Sequence, residues 1–74
     1  MSDARQAISV AREAGASQYA PEDLRAAENH LDSALRKLTR KEYKEARVDA
    51  IEAKNRALDA LATTEQQSPD NPQR

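Results

Sequence analysis

The sequence predicts an all-α fold: a three-helix antiparallel bundle dominated by a hairpin of the second and third helices. Three observations carry this reading. Ala46, Ala50, Ala53, Ala57 and Ala60 recur at strict three- and four-residue steps, extended backwards by Tyr43 and forwards by Thr64. On an α-helix that spacing draws one narrow seam along a single face, and a seam of methyl groups lets a second helix approach closely. Leu24, Leu31 and Leu38 recur at seven-residue intervals, interleaved with Ala27 and Ala34, so the preceding segment has a face to match. Finally, Gly15, Pro21 and Thr39 stand where such helices stop or start.

The first helix is expected over about Asp3 to Ala14, capped by Ser2 or Asp3. Ala4, Ala7, Ile8, Ala11 and Ala14 form its apolar stripe, and Val10 lies off it. Gly15 suits the position just past a helix C-terminus. Gly15 to Ala20 then reads as a turn, and Pro21 as the first residue of a helix running to about Leu38. Glu22 and Asp23 complement the dipole at its start, and Tyr19 and Leu24 have the spacing of a hydrophobic staple. Thr39 and Glu42 match a capping box, with Leu38 and Tyr43 as a second staple. The third helix is expected from about Arg40 to Thr63 or a little beyond. It carries the alanine seam and, on another face, Ile51, Leu58 and Leu61, with Val48 near the edge. The domain thus spans residues 2–65, and residues 66–74, polar and containing Pro69 and Pro72, are expected to be disordered.

Composition bounds the function. At 74 residues there is room for one small domain. Charged residues make up 34%, and the chain has no Phe, Trp or Cys, so bulky core-forming side chains are few. Such a chain is expected to be marginal as a monomer or to oligomerise. A net charge of -1 disfavours a dedicated nucleic-acid binder. No apolar run approaches the roughly 20 residues of a membrane span. Met1-Ser2-Asp3 lacks the basic and apolar regions of a signal peptide, so the expected location is cytoplasmic unless a leader has been removed.

Residues Ala14-Gly15-Ala16-Ser17-Gln18-Tyr19-Ala20-Pro21-Glu22-Asp23-Leu24, continuing through Ala27 and Leu31 to Tyr43 and Ala46, carry a family pattern. The chain resembles the bacterial domain-of-unknown-function 4398 family, whose members carry A-G-A-x-x-Y-A-P-E-x-L-x-x-A-x-x-x-L followed by Y-x-x-A. The resemblance covers about Ala4 to Ala60, and the Tyr-Ala-Pro-Glu turn is its discriminating part. It implies a small alanine-rich helical protein of the Gram-negative envelope, often bearing a signal peptide or lipoprotein cysteine. Some members are joined to a peptidoglycan-binding domain of the outer-membrane protein A type. No catalytic residues are established for the family, so the resemblance carries none over. On this basis the periplasm or outer membrane is expected if a leader was removed.

The polar residues form several constellations. Arg36, Lys37, Arg40, Lys41, Lys44 and Arg47 cluster at the junction of the second and third helices. They form either a basic knuckle for phosphate or lipid headgroups, or a solvated face in which Arg36 and Lys37 complement a helix C-terminus. Glu42 and Glu45 dilute the cluster and favour the second reading. Glu45, Asp49 and Glu52 stand a turn apart, but Arg47, Lys54 and Arg56 interleave with them and no Glu-x-x-His motif accompanies them. No metal or cofactor is therefore expected. His30, the single histidine, has no carboxylate three or four residues away and reads as a partly exposed surface residue. The expected function is a non-catalytic helical interaction module that binds a protein partner or a second copy of itself, with no small-molecule substrate. Ile51, Leu58 and Leu61 are the expected contact residues, being the face least satisfied within the hairpin. Anionic-ligand binding through the basic junction is the alternative.

Overall fold

The computed structural model describes residues 2–67. They are all-α, in four helices rather than the three expected: α1 (Ser2–Ala14), α2 (Ala16–Tyr19), α3 (Pro21–Thr39) and α4 (Tyr43–Gln67). The extra element is the single turn α2, which occupies the segment expected to be a plain turn. Gly15 separates it from α1 by adopting the left-handed conformation, φ 104°. The Gly15 N–H closes α1 on the Arg12 carbonyl at 3.0 Å. The Gly15 carbonyl then accepts from Gln18 at 2.9 Å and Tyr19 at 3.1 Å, so the residue that ends one helix starts the next. A four-residue turn has no periodicity to read, but it turns Ala16 and Ala20 into the core.

Pro21 opens α3 with Glu22 and Asp23 in its first turn, as expected. Leu24 is buried and Tyr19 half-buried, in the register of a staple across the uncapped Ala20.

The second junction corrects the expectation. Thr39 is the last residue of α3, not the cap of the next helix, and its hydroxyl donates back to the Leu35 carbonyl at 3.2 Å. Lys41 takes the left-handed conformation, φ 65°. Its N–H bonds to the Leu38 carbonyl at 2.9 Å, and the next N–H, from Glu42, reaches the Lys37 carbonyl at 2.8 Å. This paired pattern is a Schellman closure with lysine where glycine is usual. It moves the start of α4 to Tyr43, which removes the register that a Leu38–Tyr43 staple requires. Tyr43 is accordingly 62% exposed, and the seam begins at Ala46.

α4 is about 37 Å long at 1.5 Å per residue. It extends through Gln66 and Gln67, the first two residues of the expected tail; residues 68–74 lie outside the described residues. α3 folds back antiparallel to α4 across the short Arg40–Glu42 connection. α1 lies antiparallel to α3, since Arg12 pairs with Glu28 while Arg5 shares a groove with Leu35. The same helix runs parallel to α4: Ala4 lies beside Ala50, and Gly15 beside Thr64.

The core is made of methyl groups. Ala46, Ala53, Ala57 and Ala60 of the seam are buried, while Ala50 is only half-buried and lines a surface groove; Ala57 and Ala60 cluster with Ala7, Ile8 and Ala11 of α1 and Leu24 and Ala27 of α3. Ile8 and Leu24 are the only buried apolar side chains larger than alanine among the described residues. Thr64 continues the seam and is buried as well, but its hydroxyl has no hydrogen-bond partner.

Candidate interaction surface

With alanine inside, the bulk lies outside. Ile51 is 52% exposed and Leu58 44%. They share a stripe of α4 with Arg47, Lys54, Leu61 and Glu65, spaced four-three-four-three-four. At 3.6 residues per turn that stripe lies about 100° around the helix from the alanine seam. Leu61 is the innermost of the expected contact residues, half-buried against the core cluster, while Ile51 and Leu58 face solvent.

Val10, which no one-face reading of α1 accommodates, belongs to the same surface. It lines a shallow groove of about 300 Å³ together with Gln6, Ala7, Lys54, Leu58 and Leu61. A second groove of about 340 Å³ continues the surface toward the N-terminus of α4, between Leu38, Tyr43, Ala50 and Ile51. Asp3 and Lys54 border both grooves. The strip was legible on α4, but Val10's part in it depends on how α1 is rotated against α4. Val48 is also exposed but lies off the strip.

The opposite edge of α4 faces α3 and is polar. Asp49 sits at its centre, where the Ser33 hydroxyl donates to it at 2.7 Å and the Lys37 ammonium lies 2.7 Å away. His30 Nδ1 stands 3.7 Å from the other carboxylate oxygen. The Lys37 hydrogen bond, then that from Ser33, holds the Asp49 carboxyl below its ordinary pKa against a smaller opposing effect of burial. The same contact with Asp49 raises Lys37 above its ordinary value. His30 is part-exposed, as expected, but its carboxylate neighbour comes from another helix, which local spacing along α3 does not show.

A serine, a histidine and an aspartate in one cluster invite a catalytic reading. A nucleophilic serine needs its hydroxyl hydrogen-bonded to the base that will take its proton. Here the Ser33 hydroxyl donates to Asp49, so serine, histidine and lysine all converge on one acceptor. The arrangement is a polar clasp holding α3 to α4 in register.

The six basic residues of the junction make separate contacts. Arg36 pairs with Asp32 on its own helix, and Lys37 turns to Asp49. Arg40 caps α3 through its backbone, and Arg47 borders the apolar groove beside Ile51. Lys41 and Lys44 are exposed. Glu52 pairs with Arg56 along α4. Among the described residues no three metal-ligating side chains gather, and no helix is long and apolar enough to cross a membrane.

These features define a small all-α domain with a methyl-lined core and an apolar strip on its outside. The chain belongs to the family described as a domain of unknown function (DUF4398), whose family model matches residues 1–70. No curated protein and no solved structure matches it.

Proposed function

We propose that the chain is a non-catalytic helical interaction module that works by pairing its α1–α4 strip with a second copy of itself. The observation that carries this is the inversion of bulk: Ile51, Leu58 and Val10 remain exposed while the interior is filled by alanine. Burying such side chains contributes roughly 1.5–3 kcal/mol each, and the monomer leaves much of that unrealised. A helix face about 37 Å long and one helix wide offers ~400 Å², and α1 adds roughly 200 Å². Two such faces together reach the roughly 1,200 Å² at which specific protein–protein interfaces begin. The chain's small core supports the same reading, since small scaffolds often gain stability by oligomerising.

Light scattering on the wild type and on Ile51→Gln/Leu58→Gln tests this. The expected result is a concentration-dependent dimer for the wild type and a folded monomer for the double variant. A wild type that stays monomeric throughout overturns the proposal. We further propose, from the motif resemblance, that the module works in the bacterial envelope. Fractionation of the native gene product with the periplasm or outer membrane supports that, and recovery in the cytoplasm contradicts it.

A further inference from the structure

The reversal between α3 and α4 hangs on one residue. The chain's single glycine is Gly15 and its prolines are Pro21, Pro69 and Pro72, so residues 22–68 contain neither helix breaker. Within the Arg40–Glu42 connection, Arg40 stays near helical geometry, with φ -86° and ψ 1°. Among the described residues Lys41 is the only non-glycine with a positive φ, 65°, a conformation that an L side chain resists. Arginine, lysine and glutamate are all good helix formers, so the connection has no local reason to stay bent. We infer that α4 exchanges between two copies of the chain, with Lys41 as the hinge. When Lys41 turns helical, α3 and α4 join into one helix from Pro21 to Gln67, about 70 Å long.

An opened chain cannot stand alone, because its alanine seam and Leu24 would face water. A second opened copy restores those contacts. The α4 of each lies on α1 and α3 of the other, so Ala57 and Ala60 again meet Ile8, Leu24 and Ala27. The clasp re-forms across the pair, with Ser33 and Lys37 of one copy on the partner copy's Asp49. Since the contacts are the same, the exchange costs chiefly the entropy of association, and it relieves the left-handed lysine twice. Short hinges under strain are where such exchange occurs. The two Lys41 side chains approach each other near the two-fold axis, which restrains the exchange at low salt. The exchanged pair leaves the α1–α4 strip of each half uncovered, so it is separate from the self-pairing proposed above.

Lys41→Val and Lys41→Gly test the hinge. They carry the same charge, but valine is excluded from the left-handed region that glycine accepts, and glycine is the poorer helix former. Each is refolded from denaturant at high chain concentration and sized by light scattering after dilution. The expected result is a dimer in Lys41→Val that outlasts dilution, with a dimerisation constant at least about 100-fold above that of Lys41→Gly. The connectivity is read by spin labels on Asn29→Cys/Asn55→Cys, two exposed positions in a chain without native cysteine, diluted with unlabelled chain. Along one continuous helix these positions stand about 39 Å apart, and in the hairpin they are far closer. A dimer whose labels keep the short hairpin distance, or equal dimerisation of the two variants, overturns the exchange. If that short-distance dimer is also lost in Ile51→Gln/Leu58→Gln, strip pairing stands without exchange. A long-distance dimer that persists in Ile51→Gln/Leu58→Gln supports the exchange whatever the strip does. Should Lys41→Val aggregate, the long intrachain distance in the refolded wild-type dimer, absent from Lys41→Gly, carries the test; its absence from both overturns the exchange.

Discussion

Two adjacent residues of α4 should respond to substitution in ways that simple hydrophobicity does not suggest. Ala57 is fully buried, and no groove described above reaches it. Ala57→Leu adds three carbons, which would stabilise by about 2.4 kcal/mol if there were room at ~0.8 kcal/mol per buried carbon. Instead they must enter a contact between packed helices, where overfilling costs typically 1–3 kcal/mol beyond what is gained by transfer. Pushing α4 outward also strips contacts from Ala53 and Ala60, which lie on the same seam. A net loss of about 2 kcal/mol is expected. Leucine and alanine are both strong helix formers, so helix propensity does not account for a loss of this size. At about 4–8 °C per kcal/mol for a domain of this length, Tm should fall by roughly 10 °C. Leu58→Ala removes bulk from a side chain that is 44% exposed, and should cost the monomer only about 1 kcal/mol while weakening self-association. Far-UV circular dichroism melts at one fixed chain concentration make the comparison, because a dimer's Tm depends on concentration. An Ala57→Leu chain that melts at or above the wild type would refute tight seam packing.

Thr64→Val keeps the branched shape but removes a buried hydroxyl that has no partner, so a gain of about 1 kcal/mol is expected in chemical denaturation. An unchanged or lower midpoint would mean that the hydroxyl is satisfied in solution. Lys41→Gly relieves a left-handed lysine at the α3 terminus and should stabilise by about 0.5–1 kcal/mol, read as a higher Tm. The clasp gives a pH dependence of defined sign. Asp49 is held below its ordinary pKa, so its contribution is present above about pH 4 and lost as pH falls through the lower folded value. Lys37 is raised, so its contribution is present below about pH 10 and lost as pH rises through the higher folded value. Asp49→Asn should lower Tm by a few degrees near neutrality and flatten the acid side of the Tm–pH profile. If the variant's profile instead runs parallel to that of the wild type below pH 4, Asp49 does not carry that dependence.

The sequence announced the elements whose signal is periodic. Ala46, Ala53, Ala57, Ala60 and Thr64 are buried, as three-four spacing demands, although Ala50 of the same series is only half-buried, and Gly15 and Pro21 punctuate the chain where their backbone preferences place them. The remaining features depend on competition or on distance. Thr39 and Glu42 matched a capping box in letters, but the left-handed turn at Lys41 closes α3 first and leaves Thr39 inside it. α2 is a single turn and too short for a period. The clasp joins Asp49 to Ser33, sixteen residues away, and to His30 and Lys37 through the α3–α4 register, and the place of Val10 is set by the rotation of α1 against α4. Ile51 and Leu58 were legible as a surplus face because the seam had already claimed the packing side of α4.

The covering of that surplus face can be measured residue by residue. Methyl NMR with a soluble paramagnetic agent reports how closely water reaches each side chain, and Val48, exposed and off the strip, serves as an internal reference. At concentrations where the chain pairs, Ile51 and Leu58 methyls should be shielded nearly as well as that of Ala57, with Val48 still fully relaxed. Relaxation of Ile51 and Leu58 equal to that of Val48 at every concentration would contradict the account.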